Sequence, residues 1–548
     1  MFVLGFHRSL TSALSQWLHK AGLSAGSYLM PPAISNPDGH FEDMSLVSLH
    51  DRLLAMQNTN WQFHNEVPFN PAIRLDLFER YITRREQNAV TSWSAKDPRL
   101  CLFIPAWQQV LGSQGRYLIV LRHWSASIQS LYRRHARILA AGSSGTIHVD
   151  FWRNPALAAK MWQAYNSRIL ALAEAIPEQV MIISQQALMA GLNVPHQVNQ
   201  RFTLGLNEQT PSPIKPDLVT NRVDTTIRSL IPAEDMITME SQWQSLLALA
   251  EHRSEYEKPE WQTGQTDGVT QALVETLLLQ VKTVSIPSDP IILPELDEIP
   301  ITEWLSLATQ SDPLTIEPEQ ILRKIERDAP FDITVWETYA RLMLKNNQIL
   351  IAERAITRIL QLGKSAPYLF MLLGVCREAE FDDAAAEYFY RLAGQRNPQN
   401  AVFDVKLANL LMALGRYQEA EHTLGSALLR VQNPPEILAR TLANCFDQQG
   451  RTRAAIEYLK CWPQSSELLK TQLGALEIKA GDNQGAIRYQ MLVRQRLSQP
   501  RAIMPILSTL ASIPEPASRA DLAARLTSEW LTLFSADELR QLWQQSFK

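Results

Sequence analysis

Four cysteines in 548 residues (Cys101, Cys376, Cys445 and Cys461) are too few and too scattered for a disulfide framework, and none has metal-type spacing. They fit reduced, mostly buried thiols, so a cytoplasmic setting is expected and no metal centre. No run of about 18 apolar residues occurs, so no membrane span is expected. The basic and apolar regions of a secretory signal are also missing from the first residues. Positive charge is not in excess: Lys and Arg number 52 against 56 Asp and Glu, a net charge of -4. That balance argues against nucleic acid as the main partner, because such binding rests on a basic face. The pattern G-x-x-x-x-G-K-[ST] is absent as well, which lowers the case for an ATP-dependent kinase. What remains is a globular composition, 46% hydrophobic and 20% charged, in a chain long enough for two or three domains.

The organising stretch is the first one. Phe2 to Leu4 reads as a buried strand, and Leu14, Trp17 and Leu18 recur at helical spacing. Between them Gly5, Arg8, Ser9, Leu10, Thr11 and Ser12 form a tight loop. A strand, a short loop and a helix N-terminus make an anion site, since unpaired first-turn N–H groups and the helix dipole converge there. Arg8 adds a fixed charge and a fork of donors.

Further strands are expected ahead of Lys96-Asp97-Pro98-Arg99, over Tyr117 to Leu121 and over Val180 to Ser184. Helical patterns lie between them, near Leu46 to Leu54, Leu75 to Ile82, Leu100 to Val110, Ile128 to Tyr132 and Pro155 to Ala175. Met30 to His40, rich in Pro and Gly, reads as a loop. Strands alternating with helices imply an α/β domain with a parallel sheet, whose ligands bind at the carboxyl ends of the strands. Arg8, Lys96 to Arg99 and Arg122 all fall there.

Three motifs in this region resemble the sulfotransferase family, which transfers a sulfonate from 3′-phosphoadenosine 5′-phosphosulfate (PAPS) to a hydroxyl or amine. Gly5-Phe6-His7-Arg8-Ser9-Leu10-Thr11-Ser12 is similar to the 5′-phosphosulfate loop of bacterial members, G-x-H-R-S-G-T-S. Val120-Leu121-Arg122 with Ser130 matches the 3′-phosphate motif, and Lys96-Asp97-Pro98-Arg99 a strand-end motif. The resemblance implies a P-loop-like sulfotransferase fold, with Arg8, Ser9, Leu10, Thr11, Ser12, Arg122 and Ser130 on the donor. It also implies Arg8, Glu42, Lys96 and Asp97 in the chemistry. Two features depart from the family. Leu10 stands where the loop has its second Gly, a costly choice if that position needs positive φ, and no Gly-rich late segment is found. For the general base Glu42 comes first, with Asp97 and His40 as alternatives, while His7 and His123 flank the arginines and can serve to pack or cap.

Residues 1–260 are therefore expected to form the sulfotransferase-like domain and 261–330 a helical, Pro-rich connector that includes Ile286 to Pro290. From about Asp332 small residues recur: Ala340, Gly374, Ala408, Ala443 and Gly474, each followed twelve residues later by Ala352, Ala386, Ala420, Ala455 and Ala486. A period near 34 with helix, turn and helix resembles the tetratricopeptide repeat (TPR) family. This predicts an all-α TPR solenoid over 331–500, with capping helices over 501–548 and an N-cap signal at Ser535. Such an array presents a groove for a peptide or partner protein.

Two functions follow from these expectations. One is a PAPS-dependent sulfotransferase whose repeats recruit a partner or acceptor; bacterial relatives imply a glycan acceptor. The other is a TPR interaction scaffold with a degenerate, inactive N-terminal domain, to which Leu10 points. Another nucleotide-dependent transferase is a third option.

Overall fold

In a computed structural model, β1 (Phe2–Leu4), β2 (Ala95–Lys96), β3 (Tyr117–Leu121) and β4 (Val180–Ser184) pair in parallel in the order β2-β1-β3-β4. The structure describes the chain except residues 34–35, 37–38, 58, 66–73, 89–91, 143–144, 216–220, 265–266, 283–292, 310–315, 464–465, 500–501 and 547–548. Alternate side chains of a strand point to opposite faces. Phe2, Leu4, Ile119, Leu121 and Ile182 accordingly enter one core, and Val3, Leu118, Val120 and Ile183 enter another. Burial on both faces explains why these strands read as continuous apolar runs.

Helix α1 (Thr11–Lys20) covers the second face with Leu14, Trp17 and Leu18. The first face receives α2 (Met44–Ala55), α3 (Leu75–Asn88), α4 (Trp124–Ala140) and α5 (Leu157–Ala175). The helix expected over Leu100 to Val110 is instead a 3-10 segment, Pro98–Phe103, followed by an α-helix, Ile104–Leu111. Proline fits a first turn but not a helix interior, so Pro98 and Pro105 each start a new segment.

The region expected as one connector is divided between two cores. Helix α6 (Gly268–Val281) adds Leu273, Leu277 and Val281 to the core of the sheet. Helices α7 (Ile301–Ala308) and α8 (Pro318–Asp328) pack with the first helix pair of the repeats. Residues 286–290 lie outside the described residues.

Helix pairs then follow: α9 (Ile333–Lys345) with α10 (Ile349–Gln361), α11 (Pro367–Ala379) with α12 (Asp383–Arg396), and α13 (Val402–Ala413) with α14 (Tyr417–Arg430). Two more are α15 (Glu436–Gln448) with α16 (Thr452–Lys460) and α17 (Glu467–Lys479) with α18 (Gln484–Leu497). The small residues do sit where paired helices meet. Ala340, Ala352, Ala408, Ala420, Ala443 and Ala455 are buried, and a Cβ added to Gly374 would lie 2.5 Å from the ring of Tyr390. The last unit differs. Ala486 is exposed, and Gly485 makes the close approach, where an added Cβ would lie 2.3 Å from the carbonyl oxygen of Gly474.

The helices after residue 501, expected to cap the solenoid, pack on its last helix, where Val493 and Leu497 of α18 join their core and Arg494 pairs with Glu538, and they also extend the core of the α/β unit. From α19 (Met504–Ala511), α20 (Pro516–Leu531) and α21 (Ala536–Ser546), Leu507, Leu510, Leu526, Trp530 and Trp543 share the core that covers the first sheet face. The Trp530 indole N–H donates to the Ala140 carbonyl at 3.0 Å, and that of Trp152 to Asp521 at 3.0 Å. Helix α21 opens on a reciprocal capping box in which Ser535 N–H donates to Glu538 at 2.8 Å and Glu538 N–H to Ser535 at 3.3 Å. A second attachment lies along the repeats, where Arg52 and Arg74 share Glu380 and Arg84 pairs with Asp383. Among the described residues no helix is long and apolar enough to cross a membrane.

Candidate functional site

A cleft of about 550 Å³ opens at the carboxyl ends of β1, β2 and β3, a volume suited to a nucleotide-sized ligand. The loop after β1 forms one wall. Its Gly5, at φ +155°, lies against β3, and a Cβ there would stand 2.8 Å from the Val120 carbonyl oxygen. Arg8 and Leu10 are both left-handed, at φ 68° and 66°. Leu10 is the N-cap residue of α1 and supplies no side-chain cap. The first-turn N–H groups of the helix are thus left for a ligand at its positive end.

The sequence-derived residues converge on this cleft. Arg8, Ser9, Leu10, Thr11, Ser12, Glu42, Lys96, Arg122 and Ser130 all line it. Arg8 donates through Nε to Ser130 at 3.1 Å, and the Arg122 guanidinium donates to the Arg8 carbonyl, so the two strand-end arginines are locked together. The Lys96 ammonium pairs with Glu42 and donates to Ser12 Oγ at 3.1 Å and to the His40 carbonyl at 3.4 Å. Asp97 stands apart: it is fully buried and does not line the cleft. One of its oxygens accepts from Arg99 at 2.9 Å and the other from His50 Nδ1 at 2.7 Å. The Trp107 indole N–H donates to His50 Nε2 at 3.2 Å, which leaves the His50 proton on Nδ1. Burial works to raise the Asp97 pKa, but Arg99 and His50 overcome it and hold the carboxyl below the usual carboxylate range. Asp97 fixes Arg99 and the β2 end, a positioning role.

His7 lines the cleft and packs edge-on against Phe6, with Nε2 3.4 Å from the Tyr165 hydroxyl; burial, then Arg99, lower its pKa. His123 caps α4 by accepting from Ser125 N–H at 3.3 Å. His40, buried beside Lys96 and Arg134, is pushed down to about 3, which leaves it neutral and a weak proton acceptor at neutral pH.

The lining extends beyond these residues. Arg133, Arg134, His135, His148, Trp61 and Lys215 also line it. Arg134 and Ile138 follow Ser130 at steps of four, one face of α4, so helix phase counted from Ser130 was the signal that could have found them. Among the described residues Glu42 is the one carboxylate lining the cleft, against Arg8, Lys96, Arg99, Arg122, Arg133, Arg134 and Lys215. Burial first, then Arg134 and Arg137, bring Arg8 down to about 10; burial, then Arg8 and Arg133, do the same to Arg122. Both stay charged at neutral pH. Nε of Arg122 and Nε of Arg134 are buried without a hydrogen-bond partner. Crowded, desolvated cations are what a polyanion relieves. Among the described residues no group of three His, Cys, Asp or Glu could hold a metal ion.

Beside this cleft runs the array of paired helices, whose sequence decides its type. Residues 379–439 match the tetratricopeptide repeat model. The TPR match runs from the end of α11 into α15. Among solved structures, the chain is similar to YrrB, a TPR protein with an unusual peptide-binding site, at 14% identity over 41% of this chain and 98% of that one, with a TM-score of 0.24. It is also similar to the APC/C hetero-tetramer Cut9–Hcn1, at 15% identity over 78% of this chain and 89% of that one, with a TM-score of 0.26. No curated protein matches the chain. TPR units commonly present a surface for a peptide or protein, so the repeats suggest a protein-interaction role.

Proposed function

We propose that the chain is a PAPS-dependent sulfotransferase whose TPR array serves a protein or acceptor partner. The observation that carries the reading is the convergence of Arg8, Arg122 and Ser130 with the uncapped start of α1 on one cationic cleft. Leu10 supports it too: the loop keeps a left-handed turn at the place where the family uses Gly, even with a side chain that opposes it.

The donor supplies an activated sulfonate on a phosphosulfate anhydride. Arg122, which lines the cleft, suits the 3′-phosphate; Arg8, Lys96 and the α1 amides suit the 5′ end. As the acceptor oxygen bonds to sulfur, the anhydride S–O bond breaks and its electron pair stays on the phosphate oxygen. Positive groups already in place stabilise that charge, a form of electrostatic preorganisation. Glu42, the carboxylate that lines the cleft among the described residues, takes the acceptor proton; Asp97 lies outside the cleft, bonded to His50 and Arg99. A glycan acceptor and a cytoplasmic setting belong to the same proposal.

Calorimetric titration with 3′-phosphoadenosine 5′-phosphate tests the reading. The wild type should bind it, and Arg8→Ala and Arg122→Ala should each weaken binding by about 10- to 100-fold, since each removes a charged hydrogen-bond donor set of about 1.5–3 kcal/mol. A folded wild type that does not bind the nucleotide returns the molecule to the TPR scaffold reading, and preference for ATP indicates another transferase.

A further inference from the structure

The strip Ser27–Met30 leaves the α/β unit and lies on the TPR array. The Tyr417 hydroxyl donates to the Ser27 carbonyl, and the Tyr28 hydroxyl lies 3.5 Å from Asn409 Oδ1. Gln448, at the end of α15, reads both peptide groups of Leu29. Leu29 N–H donates to its Oε1 at 3.1 Å, and its Nε2 donates to the Leu29 carbonyl at 2.9 Å. One side-chain amide thus does for this residue what a neighbouring strand does in a sheet.

The opposite edge of the same strip holds the cleft. Leu29 forms an antiparallel bridge with Asp43, flanked by Met30 N–H to the Glu42 carbonyl at 2.8 Å and Met44 N–H to the Tyr28 carbonyl at 2.9 Å. Met30 itself lines the cleft, as does Glu42, whose carboxylate faces Lys96 there. A short two-stranded bridge is weak by itself and depends on what covers its free edge. Here that cover comes from the repeats.

We propose that Gln448 is a positioning residue for the cleft: the TPR array takes the chain's own Ser27–Met30 strip as a bound peptide and through it fixes the backbone that carries Glu42. The catalytic consequence rests on the reading of Glu42 as proton acceptor. The repeats then act on the site in cis, and a partner on this part of the array competes with the strip.

The test uses the full chain and two variants. Gln448→Ala removes the pairing, and Gln448→Glu keeps the volume but places an acceptor against the Leu29 carbonyl. Hydrogen exchange is read at the amides of Met30 and Met44, which bond across the bridge and not to Gln448. Both variants, with unchanged helical circular dichroism, should speed exchange there about tenfold: Gln448→Ala loses both bonds to Leu29, and Gln448→Glu keeps the Leu29 N–H bond but sets a carboxylate against the Leu29 carbonyl. Transfer of labelled sulfonate from PAPS into cell extract should show kcat down about tenfold, with donor KM and affinity for 3′-phosphoadenosine 5′-phosphate unchanged. Faster exchange at Leu29 alone, a Gln448→Glu variant equal to wild type, or faster bridge exchange with kcat unchanged each overturns the proposal. A wild type that binds no nucleotide removes the sulfotransferase reading, and the exchange arm still decides whether the array holds the strip.

Discussion

Leu10 carries strain that the loop has to absorb. An L-residue with a side chain in the left-handed region costs about 1–2 kcal/mol, against about 0.5–1 kcal/mol for the greater freedom glycine loses on folding. Leu10→Gly should therefore raise stability by up to about 1.5 kcal/mol, read as a higher urea midpoint with an unchanged slope; a lower midpoint would show that the Leu10 side chain is held by contacts worth more than the strain. The place of Arg8, Arg122, Lys96 and Glu42 in the cleft was legible because each lies at or just after a strand end or at the entry to a helix. The burial of Asp97 outside the cleft was not legible, because its partner His50 lies 47 residues away and nothing local in the sequence marks that pairing. Arg134 was missed because a residue-type motif ends at Ser130, whereas the cleft follows the helix face one turn further.

At the level of elements, α4 has two ends with different owners. His123 caps its start directly after β3, its middle turns Ser130 and Arg134 into the cleft, and its last carbonyl, that of Ala140, is taken from outside by Trp530. The sheet, its parallel sense and the helix pairs of the repeats were readable, since apolar runs, strand-end charges and a period near 34 are all short-range signals. The last unit slipped because two glycines, Gly474 and Gly485, allow backbone-to-backbone approach one residue ahead of the alanine the spacing picks out. Gly485→Ala should then cost about 1–3 kcal/mol by overpacking, whereas Ala486→Gly on the exposed side should cost about 1 kcal/mol from helix propensity alone. Thermal melts of the two variants rank them; the opposite order would restore Ala486 as the contact residue.

Over the whole molecule the repeats are tied to the α/β unit twice, through the Ser27–Met30 strip with its flanking arginines and through α19 to α21. Neither attachment was legible, because surface docking between distant segments depends on shape and leaves no periodic trace. Trp530→Ala should cost about 3–5 kcal/mol, as for other buried tryptophans, and should also weaken nucleotide binding although Trp530 lies outside the cleft, since the end of α4 is released. Denaturation and the nucleotide titration on one preparation check both, and unchanged affinity would mean that α4 holds its place without that tie. The second attachment also bears on synthesis. Domains generally fold in order as they leave the ribosome, yet Trp530, which completes the core beside Ala140, is made 390 residues later. The sheet-bearing half must therefore wait for its own far helices, with Trp152 and its neighbours uncovered until translation has passed the entire repeat array, a long interval in which chaperones have reason to hold it.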